Sequence, residues 1–160
     1  MIGGLMLNEK KTRDSWGTPS HIIEELTKEF GQLIDVTSIE GKCAPGTIMC
    51  DYDFMEKSPN TRAFENRAVF MNPPYSRGNI YKAVEAGIKL SWEAEVVILL
   101  IKVGTSTKYW DLIWDYKRHE PKPGVEIRYF PKRVKFIAPE GIKESSPSIE
   151  TCLVILRKVS

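Results

Sequence analysis

Apolar positions along the chain alternate between a helical period and short continuous runs. Ile22, Ile23, Leu26 and Phe30 recur at helical spacing, which predicts an amphipathic helix. Thr18 stands where an N-cap is needed, Pro19 at the first helical position, and Gly31 where the helix must end. Residues 32–36 then read as a short strand. Residues 37–66 hold Gly41, Pro45, Gly46, Pro59 and Asn60 and read as irregular. Residues 67–71 are an apolar run and hence a buried strand. Ile80, Val84 and Ile88 share one face of a predicted helix over 78–91. Residues 95–101 are a second buried strand. Tyr109, Trp110, Ile113 and Trp114 predict a short helix, and residues 117–124 a polar loop. Residues 125–130 and 133–137 read as a hairpin around Pro131-Lys132, and 150–157 as a final strand.

This order predicts an α/β fold: one domain over residues 15–160, with a mixed, mostly parallel sheet flanked by helices. Residues 1–14 read as a mobile leader. The sequence holds 160 residues, which is one domain's worth of core. No run approaches the ~18 apolar residues that span a bilayer; the longest is residues 96–101. The N-terminus lacks the basic leader of a signal peptide. Cys43, Cys50 and Cys152 are scattered, and His21 and His119 are the sole histidines. No metal site is expected from that set, and reduced thiols point to a cytoplasmic protein. The net charge of +2 announces no nucleic-acid partner. The cations nevertheless gather in the C-terminal third, at Lys117, Arg118, Lys122, Arg128, Lys132, Arg133 and Lys135. A solvated face of mixed charge is the plain alternative.

The chemistry concentrates at Asn72-Pro73-Pro74-Tyr75, directly after the apolar run Ala68-Val69-Phe70-Met71. Two prolines end a strand, because neither donates to a sheet ladder. A carboxamide and an aromatic ring are thereby left at a carboxyl end, where open α/β sheets bind ligands. An exocyclic nucleobase amine is a poor nucleophile, because its lone pair is delocalised. Two acceptors aimed at its hydrogens, the Asn72 side-chain carbonyl and the Pro73 backbone carbonyl, localise that pair. The Tyr75 ring offers a face on which an extruded base can stack. No proton leaves before attack on a methyl sulfonium, so positioning dominates. A plain strand-ending turn uses the same residues, and four residues alone do not decide between the two.

Several further landmarks stand in fixed order: Trp16-Gly17-Thr18-Pro19; Ile34-Asp35-Val36 followed by Lys42-Cys43; Asp53; Thr105-Ser106-Thr107-Lys108-Tyr109-Trp110; Arg133-Val134-Lys135-Phe136; and the strand at 151–156. With the tetrapeptide, they make the chain resemble the phage-type DNA N-6-adenine methyltransferase family. That resemblance implies a reduced Rossmann-like methyltransferase fold, S-adenosylmethionine as cofactor and double-stranded DNA as partner. It also implies site-specific transfer of a methyl group to the N6 amine of adenine, in a bacterial host or from a prophage. The catalytic residues are then Asn72, Pro73, Pro74 and Tyr75.

The cofactor residues follow from the resemblance. Asp35 and the loop after it fall where related enzymes contact the methionine part. This loop carries one glycine, so Thr37 and Ser38 are expected to serve in place of bare backbone. Asp53-Phe54 stands where an Asp-Phe pair accepts the adenine amine of the cofactor. Asp51 competes, or takes the ribose hydroxyls. Only seventeen residues separate Asp35 from Asp53, so the second strand of the standard fold is expected to be reduced. Trp16, Thr18 and Pro19 precede a helix N-terminus, which can hold the cofactor carboxylate. Trp16 is as much a core residue as a cover for the cofactor.

For DNA, Lys108 follows the 95–101 strand at the same sheet edge and is a candidate for a phosphate. Arg128, Arg133 and Lys135 are candidates from the basic third, with Arg133 and Lys135 on one side of an extended segment and Val134 and Phe136 on the other. No insertion is large enough to be a separate recognition domain. Sequence specificity is expected from residues 117–124 and 138–147, or from a second subunit, so a homodimer is one assembly to test. Other targets stay open: cytosine N4, an RNA base, a protein glutamine, or no turnover at all in a silent nucleic-acid-binding relative.

Overall fold

The computed structural model describes residues 16–37, 43–49, 61–76, 78–139, 141–143, 146 and 149–159. Among the described residues the strands are β1 (Leu33–Asp35), β2 (Ile48–Met49), β3 (Ala68–Met71), β4 (Val96–Lys102), β5 (Trp114–Asp115), β6 (Glu120–Pro121), β7 (Val125–Tyr129) and β8 (Thr151–Leu156). The described residues also include the α-helices α1 (Ser20–Phe30) and α2 (Asn79–Leu90), with 3-10 turns at Thr61–Phe64 and Trp110–Leu112. Six strands form one sheet in the order β2-β1-β3-β4-β8-β7, and β5 pairs with β6 apart from it.

The sheet is mixed. β2 with β1, β1 with β3, and β3 with β4 pair in parallel, while β8 is antiparallel to both β4 and β7. The central strands are buried along nearly their whole length, which explains why they read as continuous apolar runs with no alternation. α1 lays Ile22, Ile23 and Leu26 on one face, against Leu33, Phe70, Ile98, Leu100 and Ile155. α2 lays Ile80, Ala83, Val84 and Leu90 on the other, against Val69, Met71, Val97, Leu99 and Val154. The order of the strands reverses at β1, which has β2 on one side and β3 on the other. That reversal opens a crevice between the carboxyl ends of β1 and β3, the usual ligand position in open α/β sheets.

Several expectations are corrected. Residues 125–130 and 133–137 do not pair as a hairpin: β7 pairs with β8, through Val125↔Leu156 to Tyr129↔Cys152. Residues 133–136 lie in no strand, and Ile137 bridges to Gly17. The short helix around Trp110 shrinks to one 3-10 turn, with Trp114 in β5, and residues 120–121 of the expected loop form β6. The stretch 37–66 is not wholly irregular, since it contains β2; this strand is two residues long, the reduced second strand anticipated from the Asp35–Asp53 spacing. The N-cap of α1 is Pro19, with no side-chain cap, rather than Thr18. Gly31 does end that helix, at φ 82°.

α2 approaches the sheet closely at Gly87. A Cβ there would lie 3.2 Å from Leu156 Cδ1 and 3.3 Å from Leu99 Cδ1. A larger side chain must therefore lift the helix or push both leucines off their rotamers. Gly87→Val is expected to destabilise the fold by about 1–3 kcal/mol, as overpacking does, read as a lower denaturant midpoint with an unchanged slope.

Candidate active site

Asp35 closes β1 with its carboxylate turned inward, 4% exposed. Oδ1 accepts hydrogen bonds from the Thr37 backbone N–H at 2.9 Å and the Thr37 hydroxyl at 3.2 Å. Oδ2 accepts from the Ala44 N–H at 2.8 Å. Both oxygens therefore hold the chain that leaves β1 and returns toward β2. Burial raises the carboxyl above its ordinary value, and the N–H donors from Ala44 and Thr37 oppose that rise.

Thr37 carries the link onward. Its hydroxyl, which donates to Asp35, accepts from the backbone N–H of Asn72 at 2.8 Å. The carboxyl ends of β1 and β3 are thus tied through one hydroxyl, which is 2% exposed as a residue. The ladder itself also continues past the strand, since the Val36 N–H donates to the Phe70 carbonyl at 3.1 Å.

Asn72 is buried, with Pro73 and Pro74 after it. Its Nδ2 donates to the Thr18 hydroxyl at 2.9 Å. Among the described residues nothing donates to its Oδ1. Thr18 is thus engaged by the tetrapeptide and not by the helix it precedes. Trp16 is buried in the core with Ile22, Leu26, Phe70 and Phe136; its ring belongs to the packing under α1. Gly17 donates to the Ile137 carbonyl at 2.8 Å and accepts from its N–H at 2.9 Å. That bridge brings residues 134–137 alongside the site.

Tyr75 is half-buried, and its hydroxyl end is deep. The hydroxyl donates to the Leu100 carbonyl of β4 at 2.9 Å. Burial holds the phenol well above its usual range, so it stays protonated. The Phe136 ring meets the Tyr75 ring edge-on, centroids 6.1 Å apart. Phe136 and the Leu100 carbonyl are the partners that reading the sequence missed. The alternation of Val134 and Phe136 with Arg133 and Lys135 signalled burial, but nothing local identified what they bury against. Both apolar residues are buried and both cations exposed, as that alternation requires.

Lys108 is exposed on the turn after β4. That turn is fixed by the Thr107 hydroxyl donating to the Gly104 carbonyl at 2.6 Å and by the Tyr109 hydroxyl donating to the Lys102 carbonyl at 2.9 Å. The β5–β6 hairpin is tied to the same turn, since the Tyr116 hydroxyl donates to the Thr105 carbonyl at 2.7 Å. Its tip carries exposed Lys117 and Arg118.

Arg128 is occupied elsewhere. Its guanidinium forms a forked pair with Glu29 of α1 at 2.6 and 2.7 Å, bonds Glu126, and lies over the Phe30 ring at 5.8 Å. It holds both carboxyls below their ordinary values. Two carboxylates already satisfy this cation, which removes the reason to assign it a DNA phosphate. Arg133 and Lys135 have no ion pair among the described residues. Ser38, Asp51, Asp53 and Phe54, assigned above to the cofactor, lie outside the described residues. Among the described residues no helix is long and apolar enough to cross a membrane, and no cluster of three or more His, Cys, Asp or Glu could hold a metal ion.

A family model described as DNA N-6-adenine-methyltransferase (Dam) matches residues 7–159. No curated protein matches the chain.

Two outcomes follow for the polar link. Asp35→Ala strands the N–H groups of Ala44 and Thr37, an expected loss of about 1–3 kcal/mol in a denaturant melt. The Asp35 carboxyl is raised in the folded state, so its contribution is fully present below its ordinary value of 3.8 and is lost as pH rises through the raised value. Melts of wild type and Asp35→Asn across that window should show the wild-type advantage shrinking as pH rises; an advantage that grows with pH reverses the assignment.

Proposed function

The chain belongs to the DNA N-6-adenine-methyltransferase family, and from that premise we propose that it methylates the N6 amine of specific adenines in duplex DNA. The observation that carries the reading is the Asn72 carboxamide. It stands at the β1–β3 crevice with its nitrogen bonded to Thr18 and no described donor on its oxygen. That oxygen and the Pro73 carbonyl accept the two amine hydrogens of an extruded base. Accepting both draws the nitrogen toward tetrahedral geometry and localises its lone pair. The Tyr75 ring, fixed by the Leu100 carbonyl and the edge of Phe136, supplies the stacking face.

S-adenosylmethionine, when bound, supplies a methyl group activated on a sulfonium. The residues present fit that group in two respects. The chain after β1 is pinned open by Asp35 and Thr37 at the sheet's reversal point. The N-terminus of α1 has no side-chain cap, so its backbone N–H groups suit a carboxylate. In this reading Asp35 and Thr37 shape the crevice, whereas Trp16, Thr18 and Pro19 form its wall. Asp53 with Phe54 takes the adenine of the cofactor, and Asp51 its ribose. The whole is a reduced Rossmann-like methyltransferase fold. Lys108 and the hairpin tip at Lys117 and Arg118 flank the site on the β4 side, and Arg133 and Lys135 flank it beside Phe136. Duplex DNA lies between these cations, with phosphates held from both sides.

The decisive experiment offers labelled cofactor to DNA, RNA and protein in parallel, followed by nucleoside analysis. N6-methyladenine in DNA is the expected product; N4-methylcytosine, or label in RNA or protein, changes the substrate. Asn72→Ala should lower turnover about 10²-fold or more, as loss of one preorganised polar group does, while the cofactor dissociation constant stays within error. Tyr75→Phe should keep most of its activity and lose about 1 kcal/mol of stability with the bond to Leu100. The pair Arg133→Ala with Lys135→Ala should weaken binding to all sequences alike and reduce the salt slope by about one unit per phosphate contact. An unchanged slope makes these two cations a solvated face.

A further inference from the structure

We propose that β7 is a self-pairing edge, on which a second copy of this chain lays its own β7 antiparallel, across a two-fold axis at Ile127. The pairing needs neither DNA nor cofactor. Among the described residues the main sheet ends at β2 on one side and at β7 on the other. β2 is two residues long and offers little ladder to extend. β7 is five residues long and holds neither a proline nor a bulge, the devices that commonly blunt an edge. Its ladder with β8 decides which backbone groups are free. The Arg157 N–H donates to the Gly124 carbonyl at 2.8 Å, so these two residues begin the ladder as a hydrogen-bonded pair. Such pairs alternate in an antiparallel ladder. With the register Val125↔Leu156 to Tyr129↔Cys152, Glu126 and Arg128 turn their backbone groups to β8. Val125, Ile127 and Tyr129 turn theirs outward. The Val125 N–H is taken by the Lys122 carbonyl. Among the described residues no backbone bond reaches the outward groups of Ile127 and Tyr129.

This edge is its own complement, as a two-fold contact requires. With the axis at Ile127, the two Ile127 residues exchange both of their N–H···O bonds. Each Tyr129 N–H then meets the Val125 carbonyl of the other copy. On the α1 side of the sheet, Glu126 of each copy comes opposite Arg128 of the other. These are non-hydrogen-bonded positions, where facing side chains lie closest and opposite charges attract most. Arg128 is already fixed on that side by Glu29 and Glu126 of its own chain, so little side-chain freedom is lost on pairing. On the α2 side, Val125 and Ile127 are half-buried over the core. They meet Tyr129 and Ile127 of the other copy, and Tyr129 is 61% exposed in the single chain. Moving the axis one residue either way sets Glu126 against Glu126 or Arg128 against Arg128. Charge therefore selects both the partner and the register.

The test is sedimentation of the full chain over a range of concentrations. It compares wild type, Glu126→Arg, Arg128→Glu, both changes in one chain, and an equimolar mixture of the two single variants. Wild type should reach twice the mass of one chain; a wild type that stays monomeric throughout overturns the proposal. Each single variant sets like charges face to face and should self-associate about tenfold or more weakly than wild type. Both changes in one chain should restore the dimer. The mixture should restore it too, because opposite charges again face each other. Single variants that pair as well as wild type overturn the proposal. So do folded single variants, checked by circular dichroism, that lose the dimer and do not recover it on mixing. Amide exchange on wild type needs no variant. The Ile127 and Tyr129 N–H groups should exchange about tenfold or more slowly in the dimer than in the diluted monomer. Those of Glu126 and Arg128, bonded to β8 in both states, should not change. A dimer in which Ile127 and Tyr129 exchange as fast as in the monomer uses another surface, and overturns the proposal.

Discussion

The site depends on one hydroxyl. Thr37 donates to the Asp35 carboxylate and accepts from the Asn72 N–H, and so joins the ends of two neighbouring parallel strands. A parallel ladder can align β1 and β3 along their length, but it stops fixing the chain where the strands stop. Beyond that point the backbone would be free to splay. Asp35 prevents this by taking three donors, two from Thr37 and one from Ala44. Burying a carboxylate costs free energy, as its raised pKa shows. The return is a crevice whose two lips keep a fixed separation. Catalysis by placement alone requires that fixity, because misplacing two acceptors by about 1 Å is enough to lose most of their effect.

The ionisation states fit the proposed attack, in which no proton is removed beforehand and the surplus proton leaves the methylated nitrogen for solvent afterwards. Burial keeps the Tyr75 phenol protonated, so its hydroxyl serves as a donor to Leu100 and not as a base. Burial also pushes the Cys152 thiol up to about 12, which leaves it an apolar core group. Asn72 does not titrate at all. The groups proposed to face the amine, the Asn72 carboxamide and the Tyr75 phenol, therefore stay uncharged, which suits an amine that must be neutral when it attacks.

Much of this was legible in the sequence, and the failures share a cause. β3, β4, β8, α1 and α2 each carry a strong local signal: an unbroken apolar run for the buried strands, a 3.6-residue stripe for the helices. The strand-ending prolines placed Asn72 at a carboxyl end correctly. The errors arose where a partner distant in sequence decides. Residues 125–130 and 133–137 each looked like a strand, and the turn between them invited a hairpin. β8 was the better partner for the first, because pairing with it extends the sheet over the α2-side core. The second segment was then left to cover Tyr75 and Trp16. Thr18 read as a cap because sequence rules see only the following helix, whereas its actual partner lies 54 residues away. For Asp35, likewise, no local rule revealed that its oxygens hold Thr37 and Ala44.

Charge shows the same division between pattern and placement. Arg128, Arg133 and Lys135 are equivalent in a list of basic residues. The fold separates them by what surrounds each. Arg128 faces the side of the sheet where α1 ends, and Glu29 meets it there with Glu126 and the Phe30 ring. Arg157 joins the same group through Glu126 and Phe30, so two cations and two carboxylates close the edge of the α1-side core. Four charges that nearly cancel cast little field beyond their own neighbourhood. Arg133 and Lys135 sit instead on a segment whose buried side is anchored to Tyr75 through Phe136. The apolar anchor fixes where their charge is displayed, beside the crevice, and no described carboxylate neutralises it. A chain of net charge +2 can in this way present positive charge at one edge, by pairing Arg128 and Arg157 with carboxylates away from the site and leaving Arg133 and Lys135 without a described ion pair beside it.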